Sequence, residues 1–461
     1  MQKRRGILMA ETKDRYKDFI KSKTHIIKNR GIISDMSRSS LYDFQVNLTE
    51  WALRLGKAAI FADCGLGKTP MQLFWAAEIC RKKDGDLLII TPLAVAEQTK
   101  REAKKFGIGC THTKDGTKGK GITITNYERL GNYKKDDFIG VVCDESSILK
   151  NYAGKTRHAI TEFMKGIPYR LLCTATPAPN DFMELGTSVD ALGIMRQVEM
   201  LAMYFTHNSG DTQKWELKGY GEKPFWEFMA MWSRAIRKPS DLGYSDNRFN
   251  LPELLMDQIT IKSDPLPGRL FVVEAATLND QRDERRKTMD ARCAAVAEVA
   301  NKTERPFIAW CALNNESAKL TKAIKGAVEI KGSDSLELKE KSMLGFSDGS
   351  IRCIVTKPSI AGFGMNWQHC SDISFFPSHS HEQFYQAVRR TWRYGQKRDV
   401  MCTIVTSDAE SAVMNNMRRK ERQSNDMFNG IIKHMREFHV DKINHTYQAK
   451  KNTEVPSWLN V

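Results

Sequence analysis

Two short stretches of the chain carry residue types suited to phosphate chemistry. The first, AAIFADCGLGKTP at positions 58–70, reads as an apolar strand, a glycine-containing loop and the start of a helix. In that setting Gly65 and Gly67 shape the loop, its N–H groups point at an anion, and the helix N-terminus adds its positive end. Lys68 is placed to reach the β- and γ-oxygens of a nucleoside triphosphate, and the Thr69 hydroxyl to ligate Mg²⁺. Ala62 stands where the phosphate-loop pattern has its first glycine. The second stretch, FIGVVCDESS at positions 138–147, is an apolar run ending in Asp144 and Glu145. A magnesium–nucleotide site needs a carboxylate at the end of a nearby strand. Asp144 would hold Mg²⁺ through its water shell, and Glu145 would polarise an attacking water. Alone, the first is a turn after a strand and the second a strand end; together they imply ATP hydrolysis with Mg²⁺.

A third stretch, QAVRRTWRYGQKR, places five cations among thirteen residues, 386–398. A helix through it puts Gln386, Arg390, Arg393 and Lys397 on one face at i, i+4, i+7 and i+11. A solvated basic surface is the bland reading of such a run. Cations aimed at phosphate are the alternative.

These residues need a scaffold, and the patterning supplies one. Short β-branched runs alternate with helix-period segments: AAIFA, LLIITP, ITITN, GVVCDE and RLLCTAT, then PFIAWC, GAVEI, IRCIVT and ISFFP after residue 300. That alternation predicts an α/β fold with two parallel sheets of about five strands each. Between the series, Phe225, Phe228, Met229, Trp232 and Ile236 recur at helical spacing, followed by Arg237 and Lys238. The expected organisation is a basic N-terminal segment at 1–35, a first lobe at 36–185, a helical insertion at 186–265, a second lobe at 266–410 and a helical tail at 411–461.

Composition narrows the class. The chain has 461 residues, too many for one ordinary core, and 41% hydrophobic with 27% charged residues excludes a disordered protein. A net charge of +16 favours a polyanionic partner, most simply nucleic acid. The ten cysteines include no CxxC pair and sit largely in apolar runs, as buried thiols of a reducing compartment do. Cys370, His379 and His381 are too few for a zinc site. No apolar run is long enough for a membrane span, and the first one is too short for a signal peptide, so a cytoplasmic location is expected.

Further motifs fall in a definite order: LYDFQ at 41–45, TPLAVAEQTKREAKKF at 91–106, ITITNYERL at 122–130, DESSILKN at 144–151, LLCTATPAPND at 171–181 and SIAGFGMNW at 359–367. With the phosphate loop before them and QAVRRTWRYGQ after them, the chain resembles a compact phage- or bacterial-type member of the Swi/Snf-like group of superfamily II helicases and translocases. The resemblance covers about residues 41 to 398. It implies two RecA-like lobes, with Gln45 reading adenine and Gly364 in a glycine-rich motif touching the nucleotide. It further implies that Thr174, Thr176 and Gln386 couple the two lobes, that Tyr127 and Lys150 line the nucleic-acid track, and that Arg390 and Arg393 act as arginine fingers across the cleft. Ser146 and Ser147 replace the group's Gly-His, Thr99 stands where a Trp is usual, and TKPSIAG departs from the usual small-residue pattern.

The resemblance thus implies an ATP-driven translocase on duplex DNA, a monomer indifferent to base sequence, remodelling DNA structures or displacing bound proteins. A strand-separating helicase on DNA or RNA and a nucleic-acid-binding ATP switch are the alternatives. With +16 charge and no base-reading module, DNA affinity should fall steeply with salt and differ little between unrelated sequences. Equilibrium titration at several salt concentrations checks this, and a strong preference for one sequence at fixed salt would count against it.

Overall fold

The computed structural model describes residues 30–451, except 93–94, 151–152, 180, 209–210, 264–277, 362–364 and 379. The apolar runs form strands. In the first half these are β1 (Lys57–Ala62), β2 (Leu87–Thr91), β3 (Cys110–His112), β4 (Ile122–Asn126), β5 (Gly140–Asp144) and β6 (Tyr169–Thr174). An antiparallel hairpin follows, β7 (Phe205–Asn208) with β8 (Asp211–Leu217), and then β9 (Ser233–Ile236). The second half contributes β10 (Leu254–Ile261), β11 (Phe307–Trp310), β12 (Ala327–Ile330), β13 (Cys353–Thr356), β14 (Asp372–Phe375) and β15 (Val400–Ser407).

They assemble into a seven-stranded sheet, β3-β4-β2-β5-β6-β1-β9, and a six-stranded sheet, β10-β15-β14-β11-β13-β12. Every pairing in both is parallel. The fold is therefore α/β with two parallel sheets. Helices cover both faces, which is why the central strands are apolar on every residue rather than on alternate ones. In β1, Ala58, Ile60 and Ala62 enter one core and Ala59 and Phe61 the other. The second sheet divides likewise, with Ile308 and Trp310 on one face and Phe307 and Ala309 on the other.

The segment expected as a separate helical insertion is shared between the two sheets. Helix Glu222–Trp232 buries Phe225, Phe228 and Trp232 in the first sheet's core, Trp232 meeting Phe61 edge-on at 6.0 Å between ring centroids. The helical spacing that reached Ile236 stops at Trp232, and Ser233–Ile236 becomes β9, pairing with Ala59–Ala62. β10, also from this segment, pairs along β15 in the other sheet. The cations after the aromatic run turn inward: Arg234 lies 4.3 Å over Trp51, and Arg237 donates to Asn425 Oδ1 at 3.0 Å.

The segment expected as a helical tail is helical through Lys451 and packs back on the first sheet. Helix Ser411–Lys451 leaves the second sheet and returns to the first, placing Met427, Phe428, Ile431 and Ile432 in its core. Gly430 permits this approach, because a Cβ there would come within 2.7 Å of the Trp226 ring. No described helix is long and apolar enough to cross a membrane.

A charge network locks helix Met289–Asn301 onto the second sheet's flank. Arg292 is fully buried and donates to Glu316 Oε1 at 3.0 Å and Glu410 Oε2 at 3.4 Å. Arg285 Nε donates to Glu410 Oε1 at 2.9 Å, and Glu316 Oε2 accepts the N–H groups of Ala312 and Leu313. Removing Arg292 leaves the buried Glu316 without a cation among the described residues and Glu410 with Arg285 alone. Arg292→Ala should lower stability by about 3–5 kcal/mol, read from the midpoint of urea unfolding. A change below about 1 kcal/mol would mean that water reaches the carboxylates.

Candidate nucleotide site between the two sheets

The register of the first sheet brings the chemistry to one edge. Phe61 pairs with Thr174, Asp144 with Cys173 and Ala62 with Ile236, so β1, β5, β6 and β9 end close to one level. From β1 the chain enters the loop 63–67 and then helix Lys68–Lys83. Gly65 (φ +90°) and Gly67 (φ +79°) both hold the left-handed backbone that other residues avoid. A Cβ at Gly67 would overlap Gln45 Nε2, and one at Gly65 would lie 2.9 Å from the Tyr394 nitrogen. Gln45, expected at adenine, is buried here as a brace. Its Nε2 donates to the Leu66 carbonyl at 2.9 Å while its Oε1 accepts the Tyr42 N–H at 3.0 Å. Lys68 Nζ donates to the Ala62 carbonyl at 2.9 Å, and Thr69 lies half-buried at the helix start.

Asp144 is buried at the end of β5, where Gln72 Nε2, one turn beyond Thr69, donates to its Oδ1 at 2.7 Å. Burial, helped by the neighbouring Glu145, lifts the Asp144 pKa from 3.8 to about 6, with Gln72 and Lys68 pulling the other way. Glu145 adopts φ +50°, a conformation costing a non-glycine residue ~1–3 kcal/mol and typical of functional sites. Thr174 Oγ1 donates to Glu145 Oε2 at 3.2 Å and accepts the Thr176 N–H at 3.0 Å. The two expected coupling threonines thus form a relay ending on Glu145. Tyr127, expected on the track, instead donates its hydroxyl to the Asp144 carbonyl beneath the acidic pair.

The second sheet supplies the opposite wall. Its helix His381–Val388 stops well before residue 398, so the continuous cationic helix face is not formed. Beyond Val388 other groups capture the carbonyls: Trp367 N–H donates to Arg390 at 2.9 Å and Gln396 Nε2 to Thr391 at 3.2 Å, and Gly395 turns to φ +93°. The arginines consequently do different things. Arg390 is a brace within its own unit, donating to the Gln386 carbonyl at 3.1 Å, Gln386 Oε1 at 2.9 Å and the Met365 carbonyl at 3.1 Å. Gln386 is buried, with its Nε2 unpartnered among the described residues.

The Arg393 side chain donates no hydrogen bond among the described residues, and its Nε is buried without a partner. Burial and then Arg390 push its pKa down to about 10, while Cys64 of the phosphate loop and Glu102 pull it up. Arg389 is 7% exposed and pairs with Asp63 Oδ2 of the loop at 2.5 Å. Lys150, expected on nucleic acid, forms an ion pair with Glu382 across the cleft. Lys397 and Arg398 are exposed.

Beside these contacts lies a cavity of about 980 Å³, with Glu145 in its lining. Arg101, Lys105, Lys114 and Arg129 reach it from the first sheet and Lys339 from the second. Glu97, Glu102, Glu128 and Glu340 also line it, although Glu97 is taken up by His112 at 2.5 Å. The structure therefore brings together Lys68, Thr69, Asp144, Glu145, Thr174 and Thr176, sets Arg393 near Cys64 of the loop, and gives Gln45, Tyr127, Arg390 and Lys150 bracing contacts. Gly364 lies outside the described residues. Asp63, Gln72 and Tyr385 were not anticipated; only Gln72 had a local signal, one turn past Thr69 on the helix face turned to β5. No protein-family model matches the chain, and no curated protein matches it.

The raised Asp144 pKa has a stability consequence with a definite sign. Because the fold favours the protonated acid, its contribution is full below about 3.8 and is lost as pH rises through about 6. Asp144→Asn should therefore stabilise the ligand-free, chelator-treated protein above pH 6 and do little at pH 4. Melting temperatures of both proteins across this range check it, and a pH-independent difference would overturn the assignment.

Proposed function

We propose that the chain is an ATP-hydrolysing motor of the Swi/Snf-like superfamily II kind, two RecA-like lobes that move along DNA to remodel its structures or displace bound proteins. One observation carries this reading: Lys68 and Thr69 meet Asp144 and Glu145 at one sheet edge, and Arg393 of the other sheet, whose side chain has no hydrogen-bond partner among the described residues, comes near Cys64 of the same loop. The loop's glycine geometry and the uncompensated buried Asp144 suit a magnesium–nucleotide. Thr69 and Asp144 would hold Mg²⁺, which would neutralise charge on the β- and γ-phosphates.

In this reading Lys68 leaves the Ala62 carbonyl for the phosphate oxygens. Glu145 orients water for attack on the γ-phosphorus, and Thr174 fixes the carboxylate that does so. Arg393 stabilises the charge that develops on the transferred phosphoryl group, which accounts for a half-buried guanidinium with no hydrogen-bond partner among the described residues. Arg390 acts earlier, by holding the segment that carries Arg393. Closure on ATP and opening after hydrolysis would step the lobes along a phosphate backbone, duplex DNA being the favoured track. The cleft cations Arg101, Lys105, Lys114, Arg129 and Lys339 support that partner, and the +16 charge supplies long-range attraction.

Hydrolysis rates without nucleic acid and with single-stranded DNA, duplex DNA and RNA test the reading, alongside strand displacement on a forked substrate. Lys68→Ala should lose ATP binding and turnover together, whereas Glu145→Gln should bind ATP and fail to hydrolyse it. Arg393→Ala should keep ATP affinity and lose roughly 10³–10⁵ of the stimulated rate. Arg398→Ala, at an exposed position, is the control and should turn over normally. Near-normal hydrolysis by Glu145→Gln would remove the proposed catalytic carboxylate, and Arg393→Ala behaving like Arg398→Ala would remove the finger.

A further inference from the structure

Asp63 is an unusual neighbour for bound phosphates. It is the first residue of the phosphate loop and is 9% exposed, so solvent screens its charge poorly. Its Oδ1 accepts the Cys64 N–H at 2.6 Å, a loop donor that a phosphate oxygen would otherwise compete for. The other side-chain hydrogen bonds to this carboxylate, among the described residues, come from the second sheet, more than 300 residues away in the chain. The Tyr385 hydroxyl donates to Oδ1 and Arg389 Nη2 donates to Oδ2 at 2.5 Å. The Arg389 guanidinium carbon itself lies 5.2 Å from the centre of the Tyr385 ring and 4.3 Å from that of the Trp392 ring. Among the described residues, Arg389 is the only ion-pair partner of Asp63.

The loop therefore carries a negative charge whose ion-pair partner comes from the second sheet, Arg237 at the end of β9 adding only a longer-range positive charge. A unit charge about 6 Å from a phosphate, at an effective dielectric near 20, shifts a binding equilibrium roughly a hundredfold, and salt reduces this toward about tenfold. We propose that Asp63 and Arg389 form an electrostatic gate on nucleotide retention. With the sheets together the loop is neutralised and accepts phosphates. When they part, Asp63 is uncovered beside those phosphates and drives the product out. The gate rests on the nucleotide-site reading above and states how that site is controlled. It differs from an arginine finger, because Arg389 acts through Asp63 and not on the reacting atoms, which makes both of them positioning residues.

The test is the affinity of the full-length protein for fluorescent ATP and ADP analogues, with Mg²⁺, for the wild type, Arg389→Ala, Arg389→Lys, Asp63→Asn and the Asp63→Asn/Arg389→Ala double variant. Arg389→Ala should weaken binding about tenfold to a hundredfold, and Arg389→Lys should recover most of that. Asp63→Asn should bind at least as tightly as wild type and release ADP more slowly. The double variant should return to within about threefold of wild type, since a loop without the carboxylate needs no cation to neutralise it. A double variant as weak as Arg389→Ala would overturn the gate, whether Arg389 proved a direct phosphate ligand or a purely structural residue. So would wild-type affinity in Arg389→Ala. A wild type that binds neither analogue would instead remove the nucleotide-site reading and the gate with it. Rescue of one variant by a second loss is a result that simple damage to the fold does not produce.

Discussion

The pairing of β6 between β1 and β5 is the constraint on which everything else depends. It places the ends of three strands at one height, with Phe61 opposite Thr174 and Asp144 opposite Cys173. A shift of one residue would turn the side chains of β6 to the opposite faces and take Thr174 off Glu145. Because parallel strands send their loops out at the same edge, the phosphate loop, the acidic pair and the threonine relay emerge together. The two apolar layers on either side of β1 hold that register, and no functional residue has to contribute to it.

The charged groups at this edge are arranged by what can neutralise them. Asp144 has a glutamine and a distant lysine, too little to keep a buried carboxylate at its ordinary acidity. Glu145 has a threonine hydroxyl and a left-handed backbone. The Arg393 side chain has no hydrogen-bond partner among the described residues, while Arg389 and Asp63 have each other. Buried charge left uncompensated is expensive in a structural core and common where a charged ligand is to be received. The contrast with Arg292 makes the point, since that fully buried arginine is ion-paired to two carboxylates, Glu316 and Glu410.

Much of this was legible in the sequence, for physical reasons. The nine apolar runs became strands because strands buried on both faces must be apolar throughout. Lys68, Thr69, Asp144 and Glu145 could be read because their chemistry sits in contiguous residues next to those runs. β9 was missed because four residues, Ser-Arg-Ala-Ile, follow an aromatic run of helical period, and β10 because its edge position leaves most of its side chains outside the core. The helix expected through Arg398 failed because tertiary donors, from Trp367 and Gln396, take carbonyls that a continuing helix would use. The Asp63–Arg389 pair spans 326 residues and leaves no local signature at either end.

The return of the C-terminal helix to the first sheet has a mechanical meaning. The chain joins the two units once between Ile236 and Leu254 and again through the helix that begins at Ser411 and lies on Trp226 at Gly430. Arg237, at the start of the first connection, is tied by hydrogen bonds to Asn425 and Asn429 of the second. Two struts fastened to each other at one side of a cleft leave little freedom to slide or to drift apart. They leave rotation about the line through both, and Asp63, whose N–H donates to the Ile236 carbonyl at 2.9 Å, stands with Arg389 at the root of the first strut, next to that line.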